Sequence, residues 1–293
     1  MANAVSTESS LAIQHWMHDS PEYPRELLDL KQQPPSVFAM GNRDVLDRPR
    51  VAVVGTRNST AYGERVTRTL GLAFARAGVT VISGMARGID SKAHRTALEQ
   101  GTGTVAVLGT GIDVPYPVGH RQLHRSIATN GLVLSENPPG AMAHQGAFPK
   151  RNRIIAALAP LTIVVEAGLR SGALNTAGWA LELGRRVACV PGPIDSEQSR
   201  GSNQLLRDGA DHILTPEDAL SLLGIHMKPE KATPPLLPDT EQKIWDSLAV
   251  GLRMTDDLPE LTDLPLAECL AAITSLEIMG LVECTLAGEI RRR

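Results

Sequence analysis

The chain has 293 residues, enough for one large domain or two smaller ones, and is 42% hydrophobic but only 3% aromatic, so Ala, Val, Leu and Ile must build its core. No run of about 18 apolar residues occurs, and the polar first ten residues lack a signal pattern, so neither a transmembrane helix nor a secretory leader is expected. Cys189, Cys269 and Cys284 are far apart and form no CxxC pair, which argues against a disulfide framework and against a metal site, and suits a reducing cytoplasm.

The net charge of −3 hides an uneven distribution. Residues 43–153 carry +8, whereas residues 1–42, 154–227 and 228–293 carry −3, −3 and −5. Basic charge concentrated in one segment is the footprint of a polyanionic partner; a solvated charged surface is the plain alternative.

In chain order, residues 1–42 read as a lead-in, polar, proline-rich and irregular from Tyr23 to Asn42. Residues 50–55 form a short apolar run ending in glycine, as expected of a buried parallel strand. A helical pattern covers 61–77, a strand 79–83, and a loop 84–90 in which Asp90 can cap the helix running to Gln100. Further strands are expected at 104–108, 132–135, 161–166, 186–190 and 212–214. Helices are expected near 121–129, 150–159, 171–183, 203–207 and 216–223. This alternation predicts a doubly covered parallel α/β sheet over residues 43–227. Residues 228–239 contain four prolines and read as a linker. Residues 240–293 show three helices and a small hairpin, the pattern of a winged helix.

Four loops carry candidate chemistry. Gly55-Thr56-Arg57 follows the first strand of the alternating pattern, where a backbone approach, a hydroxyl and a guanidinium fork suit a phosphate. Ser83-Gly84-Met85-Ala86-Arg87-Gly88-Ile89-Asp90 repeats that arrangement, with two glycines around Arg87. Phe148-Pro149-Lys150-Arg151-Asn152-Arg153 sets three cations at a helix start, where the helix dipole disfavours them, next to a ring able to stack on a base. Ser171-Gly172 opens a helix after Glu166, a carboxylate with no nucleophile beside it. No GxGxxG follows the strand ending at Gly55 and no Walker lysine occurs, so no nucleotide cofactor is expected. His120 and His124 lack a third ligand and read as surface histidines.

Taken in order, these segments resemble DNA-processing protein A, the DprA/Smf family, over roughly residues 23–224. Gly109-Thr110-Gly111-Ile112-Asp113, Tyr116-Pro117, Val190-Pro191-Gly192 and Gly201-Ser202-Asn203-Gln204 belong to the same set. The resemblance implies an extended Rossmann-like fold without catalytic activity that binds single-stranded DNA. It also implies loading of the RecA recombinase onto that DNA in natural transformation, and a homodimer through the Rossmann domain, for which residues 205–223 are the expected contact. By motif match Gly55, Thr56 and Arg57 would hold a phosphate, and Phe148, Lys150, Arg151 and Arg153 would line the strand path. Family members often carry an N-terminal sterile-alpha-motif domain, for which the residues before the core are expected to be too few. The acidic C-terminal segment is expected to meet proteins rather than duplex DNA. The enzymatic alternative, a phosphoribohydrolase-like Rossmann protein, would need a PGGxGT-type motif where this chain has Ser171-Gly172-Ala173-Leu174-Asn175-Thr176.

Overall fold

The computed structural model describes residues 12–226, 237–249, 251–285 and 288–292. They fall into two compact units that divide between residues 227 and 228. Most of the expected linker, residues 228–236, lies outside the described residues, as do residues 1–11.

The segment expected to be an irregular lead-in carries two strands, β1 (Gln14–Met17) and β2 (Ser36–Gly41). They pair antiparallel with each other, and β2 pairs antiparallel with β6 (Leu132–Ser135), so the lead-in extends the sheet. Between them Tyr23 and Leu27 are fully buried, and the Tyr23 hydroxyl donates to the Pro34 carbonyl at 2.7 Å.

The rest of the sheet is parallel and follows the expected order. β3 (Arg50–Val54) shows why it needs cover on both faces. Val51 and Val53 pack into one apolar cluster, Ala52 and Val54 into another. Side chains alternate across a strand, so both faces of β3 must be roofed by helices. Each fully buried valine contributes about 1.5–3 kcal/mol. β4 (Thr80–Ser83), β5 (Thr104–Leu108), β6, β7 (Leu161–Val164), β8 (Arg186–Cys189) and β9 (Asp211–His212) complete the sheet. The strand order is β1-β2-β6-β5-β4-β3-β7-β8-β9. The intervening helices are α1 (Ala61–Arg76), α2 (Ile89–Glu99), α3 (Arg121–Asn130), α4 (Ala147–Ala157), α5 (Gly172–Glu182), α6 (Arg200–Arg207) and α7 (Pro216–Leu222).

The chain builds outward from β3 through β4, β5 and β6, then returns to place β7 on the other side of β3. That reversal is a topological switch point, and it opens a crevice beyond the carboxyl ends of β3 and β7.

The smaller unit is a winged helix. α8 (Asp239–Ser247), α9 (Leu258–Thr262) and α10 (Leu266–Ile278) bury Ile244, Leu258, Cys269, Ile273 and Leu276 together. The expected hairpin, β11 (Val282–Cys284) with β12 (Glu289–Arg292), gains a third strand, β10 (Arg253–Met254), beside β12. Ala287 of the expected turn lies outside the described residues. Among the described residues no helix is long and apolar enough to cross a membrane.

Candidate nucleic-acid interface

Arg57 is exposed in the loop after β3 and borders three adjoining crevices. The first, about 480 Å³, lies at the switch point between Gly55-Thr56-Arg57 and the start of α5. The second, about 550 Å³, is walled by Arg57, Arg87, Arg95, Tyr116, His120 and Phe148. The third, about 410 Å³, runs past Lys92 and Arg95 on α2. Phe148 stands between the first two. Its ring centroid lies 5.4 Å from the Arg57 guanidinium carbon and 4.8 Å from the Tyr116 ring. The face of the ring holds the cation in place while leaving its hydrogen-bond donors free.

The loop after β3 is locked from within the protein rather than left open for a ligand. The Thr56 N–H donates to the Glu166 carbonyl at 2.7 Å, and the Thr56 carbonyl accepts from Ile89 at 3.3 Å. A Cβ on Gly55 would lie 2.5 Å from the Ile89 side chain, so Gly55 serves the packing of the two loops. Gly55 also lines the first crevice. α1 starts only at Ala61, and its N-terminus is already occupied. The Glu166 carboxylate accepts from the Thr60 N–H at 3.0 Å and the Thr60 hydroxyl at 2.5 Å. Glu166, the sequence's one candidate base, therefore supplies the negative charge that a helix N-terminus attracts.

The loop 83–90 is built around Asp90. The structure does not use Asp90 as the expected cap: α2 begins at Ile89 behind Gly88, with no side-chain cap. Instead the buried carboxylate reaches back and accepts the Gly84 N–H at 3.1 Å. Burial raises its pKa, and the Arg151 guanidinium opposes that rise. Ser83 is buried and donates to the Val53 carbonyl at 2.7 Å. Gly88 has φ +75°, and a Cβ there would collide with the Thr56 carbonyl, so only glycine fits. Arg87 is exposed on the wall of the second crevice.

The segment 148–153 does not present three cations as one surface. α4 begins at Ala147 and turns Arg151 and Arg153 inward, 5% and 2% exposed. Arg151 donates to the Gly84 carbonyl at 2.8 Å and to the Val107 carbonyl, and desolvation lowers its pKa to about 10. A Cβ on Gly84 would lie 2.5 Å from its guanidinium, which explains that glycine. Arg153 is paired with Glu136 at 2.5 Å, and the exposed Lys150 shares the same carboxylate at 3.2 Å. Asp90 and Glu136 thus resolve the conflict between these cations and the helix dipole. Arg151 still forms part of the floor of the first two crevices.

The structure brings Lys92, Arg95 and Arg170, which motif reading did not single out, to the crevices, together with Tyr116 and His120, to which it gave no binding role. One signal was available, since Lys92 and Arg95 are three residues apart and share a helix face. The expected surface histidines are tied in. His124 is buried and donates Nε2 to the Ile112 carbonyl at 2.8 Å; the half-buried His120 donates Nδ1 to the Met85 carbonyl at 3.0 Å. Among the described residues no group of His, Cys, Asp and Glu could hold a metal ion.

Known proteins share this arrangement. The family model for DNA recombination-mediator protein A matches residues 14–224, and that for the DprA winged helix domain matches residues 228–288. The Smf protein of Escherichia coli is 37% identical over 285 residues, covering 94% of this chain and 76% of that one. A DprA-type relative from Mycobacterium tuberculosis is 43% identical over 245 residues, covering 80% of this chain, which spans 63% of that relative's length. The crystal structure of DNA processing protein A from Streptococcus pneumoniae superposes with a TM-score of 0.69 at 36% identity, covering 75% of this chain and 76% of that one. A Helicobacter pylori DNA processing protein A, whose structure concerns its single-stranded DNA binding mode, gives 0.67 at 30% identity, covering 74% and 99%. With the sheet, the switch-point loops and the winged helix all matched, the chain belongs to the DNA recombination-mediator protein A family, DprA/Smf.

Proposed function

We propose that this chain binds single-stranded DNA across the crevices around Arg57 and hands that DNA to a RecA-type recombinase. The observation that carries the reading is the meeting of Arg57, Arg87 and Arg95 with the rings of Tyr116 and Phe148 around one crevice. Guanidinium groups follow a phosphate backbone, and aromatic faces stack on bases of any sequence. The Helicobacter pylori relative's single-stranded DNA binding supports the same reading. Binding without catalysis is favoured because Glu166 is committed to the start of α1. A homodimer through residues 205–223 fits the exposed Leu214, though Leu205, Leu206 and Leu223 pack against the cores of their own unit. The protein acts in the cytoplasm.

Gel shifts with single- and double-stranded oligonucleotides, run beside a mass measurement in solution, test this reading. Single strands should bind regardless of sequence, with log K falling against log salt at a slope of about −2 to −3 for 3–4 neutralised phosphates. A salt-independent affinity would remove the electrostatic basis. Stimulated assembly of RecA on coated single strands tests the loading step.

A further inference from the structure

The first crevice has features that a path for internucleotide phosphates does not need. It lies at the switch point of an open parallel sheet, the place where mononucleotides bind with the phosphate toward a helix N-terminus. Its volume of about 480 Å³ is that of a small-ligand site. Two glycines locate the free space. A Cβ on Gly55 runs into Ile89, whereas one on Gly172 meets nothing within 4 Å. The opening is therefore at the entrance of α5, where Ser171 caps the Ala173 N–H at 3.3 Å.

The charge of the crevice is more specific still. Four charged side chains line it: Arg57, Asp90, Arg151 and Arg170. Asp90 offsets the buried Arg151, whose Nε has no hydrogen-bond partner among the described residues. Arg57 and Arg170 are exposed, and neither is ion-paired among the described residues. Two positive charges remain, and the helix N-terminus adds about half of one. An internucleotide phosphate carries one negative charge, but a phosphomonoester carries about 1.5–2 at pH 7. The Phe148 ring and the Asn175 amide on the same walls suit a base and its polar edge.

We propose that this crevice takes a nucleotide bearing a terminal phosphomonoester, with the phosphate against Arg170, Ser171 and Gly172 and the base beside Phe148. The same chemistry is offered by the phosphorylated end of a DNA strand and by a free deoxynucleoside monophosphate. Only the strand-end form rests on the DNA-binding reading.

Fluorescence anisotropy with short oligo(dT) carrying a 5′-phosphate, a 3′-phosphate or hydroxyls at both ends tests it, together with competition by dTMP and by thymidine. A phosphorylated end should bind about tenfold tighter than a hydroxyl end, as an added charge-assisted contact would give. Arg170→Ala should erase that difference. Gly172→Val, which fills the open space without altering charge, should erase it too, with thermal midpoints confirming that both variants fold. End preference without displacement by dTMP assigns the site to strand ends; displacement by dTMP but not thymidine, without end preference, assigns it to free nucleotides. Equal affinity for all ends together with no displacement by dTMP overturns the proposal. In that case binding of the hydroxyl-ended strand would still stand as evidence for the DNA-binding reading.

Discussion

Two sets of arginines divide the larger unit, one exposed and one buried. Arg57, Arg87 and Arg95 are exposed around the second crevice. Arg151, on the floor of that crevice, and Arg153 are buried, the first held by the Gly84 and Val107 carbonyls and the second by Glu136. The residue type is the same, but the surroundings assign different work. An exposed guanidinium keeps its donors for a partner, whereas a buried one must spend them inside the protein or leave a costly charge unpaired. A cluster of cations in a sequence is therefore not yet a binding surface. In this chain the buried Arg151 ties down the loop at Gly84 on which the exposed Arg87 stands.

Removing a buried member should break that contrast most severely. Arg151→Ala strips the buried Gly84 and Val107 carbonyls of their donor and removes the cation near the buried Asp90, and leaving buried acceptors unsatisfied costs about 1–3 kcal/mol. Chemical denaturation should show a loss of that order, while Lys150→Ala, at the surface of the same helix, should change stability by less than about 0.5 kcal/mol. Equal, small effects of both would mean that Arg151 is not holding the loops. Removing an exposed member should have the opposite profile. Arg57→Ala should weaken single-strand binding about 10–100-fold, roughly 1.4–2.7 kcal/mol, with the denaturation midpoint unchanged. Unchanged affinity of the folded variant would remove Arg57 from the site.

The buried layer should also respond to pH. The His94 ring is fully buried, and its Nδ1 lies 2.7 Å from the Thr104 hydroxyl. That hydroxyl already donates to Val81, so the His94 Nδ1–H is the donor. Burial, chiefly, and the nearby charge of Arg151 push its pKa down from 6.5 to about 3. The folded state then binds fewer protons than the unfolded state below pH 6.5, so stability falls as the pH drops from 6.5 toward 3. Between pH 7.5 and 5 the loss from this group is about 2 kcal/mol. Asp90, whose pKa is raised, works in the opposite sense nearer its own titration. His94→Gln should flatten the slope between pH 7.5 and 5; a slope that is the same in the variant would clear the histidine.

These layers were unequally visible beforehand. The parallel strands could be read because both of their faces are buried, which leaves continuous apolar runs such as Val51-Ala52-Val53-Val54. β1, with the sequence Gln14-His15-Trp16-Met17, could not, since it is a half-exposed edge strand with no such run. β2 finds its second partner, β6, more than ninety residues away. At the site, Arg57 was legible because a strand-ending loop must project it, and Phe148 because it stands beside cations. The inward turn of Arg151 and Arg153 was not, because it depends on carboxylates from two other loops. Arg95 and Tyr116 belong to separate segments that only the fold brings to one crevice.

The smallest effect expected concerns the winged helix, and it extends the contrast between exposed and committed charge to the other unit. A winged helix binds duplex DNA by laying a basic helix into the major groove. α10 carries Glu268 and Glu277 and no lysine or arginine along its thirteen residues. Of the cations around it, Arg291 is paired with Glu283 at 2.8 Å, and Arg292 donates to the Trp245 carbonyl at 2.9 Å and lies over the Trp245 ring. A surface of this kind repels phosphate, so deleting residues 228–293 should change single-strand affinity by less than about twofold and leave the salt slope at −2 to −3, since the counterions released on binding come from contacts with the other unit. A tenfold loss, or a slope shallower by one or more, would show that the acidic unit shares in holding the strand.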